Sequence, residues 1–414
     1  MNIVQVPRRF VRSHWGGTET VILETCKRLL RMGHKTSIIC PNALASENQE
    51  VIEGVQVTRT PYFYPYLGLK PEARALLDRK GGNLFSFALM RALKTEPQLD
   101  LIHLHTAKRA GAIGRYVAGK RRIPYVVSLH GGVFDVPKEE AVTWTEPTRG
   151  TLEWGKLLGW WVGARRVLDD ASAILCVGEE ERVQTQRNYP GKKVVHLPNG
   201  VDPDRFSSGD GKAFRYIHGI PRDAFVILTM GRIDPQKNQL FVAKLLPALA
   251  GIHAKAHLLI IGHVTNEDYY QRILDYIRDR SLESRVTVIP GLEANSRSLA
   301  DAYHAADVFL LPSIHEPFGI VILEAWAAGL PVIASRVGGI PSFVVPYQDG
   351  LLFEPNNNES ILDAFRFLVK NPEDSRNLAV SGQKKSRNEY SWDVITDRLV
   401  DIYEEALREN PFRE

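Results

Sequence analysis

Four charged side chains and one histidine stand at points where their types and spacing could do chemistry. Arg232 and Lys237 lie five residues apart in GRIDPQKN, directly after the apolar run Phe225–Met230. A guanidinium offers a planar fork of donors and an ammonium a compact charge, so the pair on a loop leaving a strand can clamp a diphosphate. Glu316 and Glu324 are eight residues apart in PSIHEPFGIVILEAWAAGLP. Ionised carboxylates only accept hydrogen bonds, and sugar or ribose hydroxyls are the neutral groups that supply them. Between the two glutamates Gly319 opens a helical pattern, and the free N–H groups near Gly319 and Ile320, with the positive end of the helix dipole, favour an anion. Two polyol grips flanking a phosphate grip describe a nucleotide sugar.

The elements that must position these groups are legible from period and punctuation. Asp307–Leu311 (DVFLL) is an apolar, β-prone run of the kind covered on both faces in a parallel sheet, and the helix after it stops at Gly329-Leu330-Pro331. Asn2–Val6, a helix over Thr18–Met32 closed by Gly33, and Lys35–Cys40 form a βαβ unit. Further strands are expected at Asp100–His105, Tyr125–His130, Val194–Leu197, Leu258–Gly262 and Val286–Gly291. Tyr125–His130 delivers His130 to the carboxyl end of its strand, where such sheets place ligands. His103 and His105 share a face, but no third ligand has metal-site spacing. Gly114, Gly119 and Lys120 imitate a phosphate loop without a strand leading in, and Arg121 occupies the Ser/Thr position. Trp154–Leu168 has helical spacing fit for an interfacial membrane helix, although core packing is the expected reading.

Length and composition set the frame. A chain of 414 residues with 44% hydrophobic and 24% charged content fits two globular domains. The N-terminus lacks signal-peptide character and no apolar run reaches membrane-spanning length, so a cytoplasmic protein is expected. Cys26, Cys40 and Cys176 are widely spaced in apolar surroundings, which predicts buried thiols. Residues 1–195 hold 29 Lys and Arg against 19 Asp and Glu, a balance of +10, while the remainder carries −6. That asymmetry fits an acidic acceptor or peripheral association with an anionic membrane as well as it fits a solvated surface.

The spacing Glu316-x7-Glu324, with GRIDPQKN, GGTETVILETCKRLLRMGH and Asn199-Gly200-Val201-Asp202, resembles the retaining glycosyltransferases of family 4 over nearly the whole chain. The resemblance implies an α/β GT-B fold, two Rossmann-like domains with parallel sheets facing a central cleft. It divides the chain into an acceptor domain (1–197), a nucleotide-sugar domain (198–390) and a C-terminal helix crossing back (391–414). Gly16 and Gly17 are expected at donor phosphates, and Arg232 and Lys237 at the diphosphate leaving group. Pro290 and Gly291 fall at the base, Glu316 and His130 at the transferred sugar, and Phe318, Gly319 and Ile320 at the phosphate end of the helix. Glu324 falls at the ribose. Tyr62, Phe63, Tyr64, Tyr66, Lys70, Arg74, Arg79 and Lys80 form a candidate acceptor wall. Two departures stand out: His263-Val264 replaces small residues, and Ser342 stands where the family carries Glu. The implied reaction moves a sugar from a nucleoside-diphosphate sugar, UDP favoured and GDP-mannose the alternative, to a hydroxyl without a cofactor or metal, and no nucleic acid partner is implied. A sugar-nucleotide epimerase of the same fold and a non-catalytic nucleotide-sugar binder are the competing readings; a glycoside hydrolase fits poorly, because basic residues converge with the carboxylates.

Overall fold

A computed structural model describes residues 1–12, 15–131, 148–292 and 296–412, with the side chain of Lys80, one residue of the candidate acceptor wall, and the whole of Gly132 outside the description. The chain forms two compact units: Met1–Pro198 with Ile395–Glu414, and Asn199–Val394.

The first unit is built on strands that are apolar on both faces, because helices cover both sides of a parallel sheet. Its strands are β1 (Asn2–Val6), β2 (Lys35–Pro41), β3 (Gln49–Ile52), β4 (Val55–Thr60), β5 (Tyr66–Leu67), β6 (Leu101–Leu104), β7 (Tyr125–Leu129), β8 (Leu152–Glu153), β9 (Ala173–Cys176) and β10 (Val194–His196). Eight of them pair in the order β10-β9-β7-β6-β1-β2-β4-β3. Every pairing is parallel except β3 with β4, whose antiparallel register sits at the sheet edge where β3 is partly exposed. β5 and β8 form a separate two-stranded ribbon. The strand order reverses on either side of β1, so the carboxyl ends of β1, β6 and β7 are the place for a ligand. Gln5 is a fully buried polar side chain within β1.

The second unit has six strands, β11 (Phe225–Met230), β12 (Ala256–Ile261), β13 (Val286–Ile289), β14 (Val308–Leu311), β15 (Val332–Ser335) and β16 (Leu351–Phe353). They pair in parallel in the order β13-β12-β11-β14-β15-β16, which places β11 and β14 side by side at the switch point. β12, β14 and β15 are buried throughout. The helix Trp392–Arg408 contains the boundary between the units: Val394 belongs to the second and Ile395 to the first.

One sequence reading agrees with the structure and one does not. Gly114, Gly119 and Lys120 lie inside the helix Arg109–Arg121, so no phosphate loop exists there. Trp154–Leu168 is not one core helix. A short helix, Lys156–Trp161, ends before Gly163, whose left-handed backbone (φ 68°) turns the chain into a 3-10 segment at Ala164–Arg166. Leu157 and Trp160 are left 74% and 84% exposed, so core packing does not account for them. Cys26, Cys40 and Cys176 are buried free thiols.

Candidate active site

The site in the second unit is a junction of two loops leaving adjacent strands. After β11, Gly231 takes φ 151° and starts the loop that carries Arg232 and Lys237. Asp234 shapes it: its Oδ1 accepts from the Lys237 backbone N–H at 3.1 Å and its Oδ2 from the Thr265 hydroxyl at 3.2 Å. The Gln239 amide donates to the Arg232 carbonyl at 2.8 Å. Gln236 then stitches this loop to the one after β14. Its carbonyl accepts from Ile314 N–H at 2.8 Å, and its side-chain amide donates to the His315 carbonyl at 3.0 Å. With the loops held together, Lys237 Nζ forms an ion pair with Glu316 Oε2, although the residues are 79 apart in sequence. Glu316 is buried and also accepts from the Ser313 hydroxyl at 3.2 Å. Arg232 is more open; it donates to Gln236 Oε1 at 3.0 Å and lies 3.5 Å from Asp234.

The helix that follows, Ile320–Ala327, is opened by Gly319 at φ 97°, a left-handed conformation that suits glycine. Its first N–H groups point out of the helix beside Glu316. The Phe318 ring is buried and stacks on Phe343 at 4.7 Å, so only the main chain of Phe318 can meet a ligand at this turn. Glu324 sits on the same helix, where burial raises its pKa and Oε2 accepts from the Tyr303 hydroxyl at 2.6 Å. The Glu316 loop is packed against Gly338 and Gly339. A Cβ at either would come 2.2 Å from the carbonyl of Glu316 or Pro317, and Gly339 N–H donates to the Glu316 carbonyl at 3.0 Å. These glycines, with Gln236, Ser313 and Tyr303, support the glutamates, and the two-glycine run in VGGIPS is the sequence signal for the first of them. At the end of β13, Gly291 has φ 107°, and a Cβ there would come 2.5 Å from the His263 ring, so His263 lies against the expected base position near Pro290.

In the first unit, Gly16 caps the helix Gly17–Arg31, and its N–H donates to Glu19 Oε2 at 3.1 Å. The Gly16 amide is therefore engaged by a carboxylate, itself 3.7 Å from Arg9, and is not open to a phosphate in this state. Gly17 is the first residue of the helix. His130 follows β7, and its Nε2 lies 2.8 Å from His105 Nδ1. Burial lowers its pKa to about 4, so the ring is neutral near pH 7. His105, His103 and His130 are neighbours, yet no group of three His, Cys, Asp or Glu among the described residues is arranged to hold a metal ion. The acceptor wall is partly internal: the Tyr62 and Tyr64 hydroxyls both donate to Asp78 Oδ1, at 2.6 and 2.9 Å, and Phe63 stacks on Trp154.

The chain is similar to known proteins along nearly all its length. The family model described as Glycosyltransferase Family 4 matches residues 15–205, and that of Glycosyl transferases group 1 matches residues 210–385. A D-inositol 3-phosphate glycosyltransferase from Saccharomonospora viridis is 28% identical over 404 residues, covering 95% of this chain and 90% of its own. A sucrose-phosphate synthase from Thermosynechococcus elongatus superposes with a TM-score of 0.74 at 20% identity, over 99% of this chain and 100% of its own. Anabaena HepE, solved in complex with UDP, superposes with a TM-score of 0.71 at 18% identity, over 97% of this chain and 99% of its own. With the two family models spanning both units and these folds matching end to end, the chain belongs to glycosyltransferase family 4, enzymes of GT-B fold.

Proposed function

We propose that this glycosyltransferase moves a sugar from a nucleoside-diphosphate sugar to an acceptor hydroxyl with retention at the anomeric carbon, in the synthesis of a glycan, glycolipid or glycoside. The observation that carries this reading is the Lys237–Glu316 pair beside the N-terminus of the Ile320–Ala327 helix. A cation, an open cation at Arg232 and free helix N–H groups converge with a carboxylate, and a sugar diphosphate has the matching anion and hydroxyls. As the anomeric carbon–oxygen bond breaks, negative charge grows on the departing diphosphate, and Arg232, Lys237 and the helix terminus stabilise it. The acceptor hydroxyl attacks from the face the diphosphate leaves, and a leaving phosphate oxygen takes its proton. Glu316 orients the sugar hydroxyls, Glu324 the ribose, and His130 is assigned as a sugar contact. Charge stabilisation in this scheme is assigned to side chains and helix N–H groups, without a metal or cofactor.

UDP is the favoured donor nucleotide, supported by the UDP complex of HepE, with GDP-mannose second. The name of the inositol-phosphate relatives makes a phosphorylated polyol an acceptor class to test. A thermal-shift series with UDP, GDP, ADP and their sugar conjugates checks the donor. One nucleotide at about 100 times its Kd stabilises the native protein by about 2.7 kcal/mol. No stabilisation by any of them would remove the clamp from the argument, and donor turnover without an acceptor would favour an epimerase.

A second partner is an anionic membrane surface. The exposed Phe87 and Trp161 pack with Phe63, Phe85 and Trp154, and Leu67, Leu152, Leu157 and Trp160 are also exposed, with exposed Lys70, Lys156, Arg165 and Arg166 nearby in sequence. Aromatic groups with cations at their rim suit the headgroup level of a bilayer. Sedimentation with phosphatidylcholine vesicles, with and without phosphatidylglycerol, should show binding that needs the anionic lipid and falls in Trp160→Ser. Protein left in the supernatant with both vesicles would end this assignment.

A further inference from the structure

Behind His130 runs a chain of buried polar groups that the reaction scheme does not use. It starts at Gln5, buried in the middle of β1. Gln5 Oε1 lies 2.8 Å from His105 Nε2, and Gln5 Nε2 donates to the Tyr403 hydroxyl at 3.4 Å. An amide oxygen only accepts, so His105 carries its proton on Nε2. Burial and the neighbouring imidazoles of His103 and His130 hold the His105 pKa well below its ordinary value, so the ring has one proton and Nδ1 is a lone pair. The 2.8 Å contact between His105 Nδ1 and His130 Nε2 then has a single polarity: His130 donates. Neutral His130, with its proton on Nε2, is left with a bare Nδ1, and no described group engages that nitrogen.

The other arm of Gln5 obeys the same logic. The Tyr403 hydroxyl, accepting from Gln5, donates to His103 Nδ1 at 2.7 Å, and His103 Nε2–H is free to donate to Ser128 Oγ at 2.7 Å. His103 is neutral too, its pKa pushed down to about 3 by burial. One amide, with Oε1 toward His105 and Nε2 toward Tyr403, thus sets the polarity of two imidazole strings.

We propose that Gln5 and His105 are positioning residues that lock His130 in its Nε2–H tautomer, so that Nδ1 faces outward as an acceptor for a hydroxyl of the transferred sugar. The second half of this statement rests on the reading of His130 as a sugar contact; the tautomer lock does not. The lock makes His130 selective in a defined sense. It accepts from a hydroxyl and repels a carbonyl or ether oxygen, because no proton is available at Nδ1.

The test is long-range 1H–15N correlation spectroscopy of the full chain labelled with 15N-histidine at pH 7, with the His130 signals assigned from His130→Gln. The wild type should show His130 protonated at Nε2 and bare at Nδ1. Gln5→Leu and His105→Phe should shift it to a mixture or to the Nδ1–H form. Gln5→Glu, which keeps an accepting oxygen, and His105→Asn, whose carbonyl can accept from His130, should retain the native pattern and guard against loss through misfolding. A wild-type His130 protonated at Nδ1, or a pattern unchanged in both Gln5→Leu and His105→Phe, would overturn the proposal. With the nucleotide sugar that stabilises the protein, Gln5→Leu should lower turnover about tenfold, the worth of one hydrogen bond, and Gln5→Glu should restore it. If His130→Gln turns over at the wild-type rate while the native tautomer is seen, the sugar contact alone is lost and the lock stands.

Discussion

At the scale of single residues, the site is a set of charges whose partners already exist without ligand. Lys237 is held by Glu316, so in the proposed reaction a bound diphosphate would draw the ammonium from an existing pair and leave the carboxylate to hydroxyls. Lys237→Met should lower kcat by about 10²–10³-fold, the usual cost of removing one donor aimed at developing charge. It should also cost about 1–3 kcal/mol of stability, because among the described residues Glu316 stays buried with only the Ser313 hydroxyl and no cation. Lys237→Arg should not restore full activity, since a planar fork does not occupy the place of a point charge. Turnover and denaturant midpoints of the two variants check this, and a Met variant with the wild-type rate would remove Lys237 from the reaction. Arg232, Lys237, Glu316 and Glu324 were legible as candidates because each belongs to a run with its own turn or helix signal. Gln5, Ser128, Tyr303 and Tyr403 were not, since a lone polar side chain in an apolar run has no spacing to read. The glutamine in NIVQV is conspicuous only once it is known to be buried.

At the scale of elements, two loops are made into one platform by main-chain contacts. Gln236 bonds across to Ile314 and His315, and Gly338 and Gly339 lie beneath Glu316 and Pro317. Gly339→Ala should therefore destabilise the protein by about 1–3 kcal/mol through overpacking and lower turnover more than the stability loss alone requires, because the backbone that must move carries Glu316. Denaturant unfolding beside steady-state rates checks it; a variant equal to wild type in both would show that the loop yields freely. Many of the strands were readable, β11 and β14 nearly to the residue, because a buried parallel strand is an apolar run bounded by turn residues; β3, β4, β15 and β16 were not anticipated. The segment 154–168 was misread because its aromatics have helical spacing while Gly163 breaks the helix. Spacing alone does not say whether Trp160 faces a core or water.

At the scale of the whole molecule, buried neutral histidines make the protein sensitive to acid. His103 and His130 titrate near pH 3 and 4 in the native state, against about 6.5 when unfolded, and His105 is also lowered. Between those values the unfolded chain binds more protons, so their contribution to stability is complete above about pH 6.5 and is lost as pH falls toward 4. Each such histidine should cost about 2 kcal/mol between pH 6.5 and pH 5. Burial raises the Glu19 and Glu324 carboxyls and works in the opposite direction, so the comparison that isolates the effect is wild type against His103→Gln. Urea unfolding at pH 7 and pH 5 should show a smaller drop in the variant; equal drops would contradict the assignment of His103 as a neutral buried group.

Local order along the chain was enough to establish the α/β class, many of the parallel strands and the residue types of the proposed sugar-diphosphate site. Period, glycine punctuation and charge are local properties that survive in one dimension. Tertiary structure decided what those residues do to one another: that Lys237 pairs with Glu316 from 79 positions away, that Glu19 occupies the Gly16 amide, and that Gln5 orients His105 beneath His130. Those facts depend on which strands become neighbours and which side chains lose water. Burial and hydrogen-bond polarity exist only after the sheet has formed.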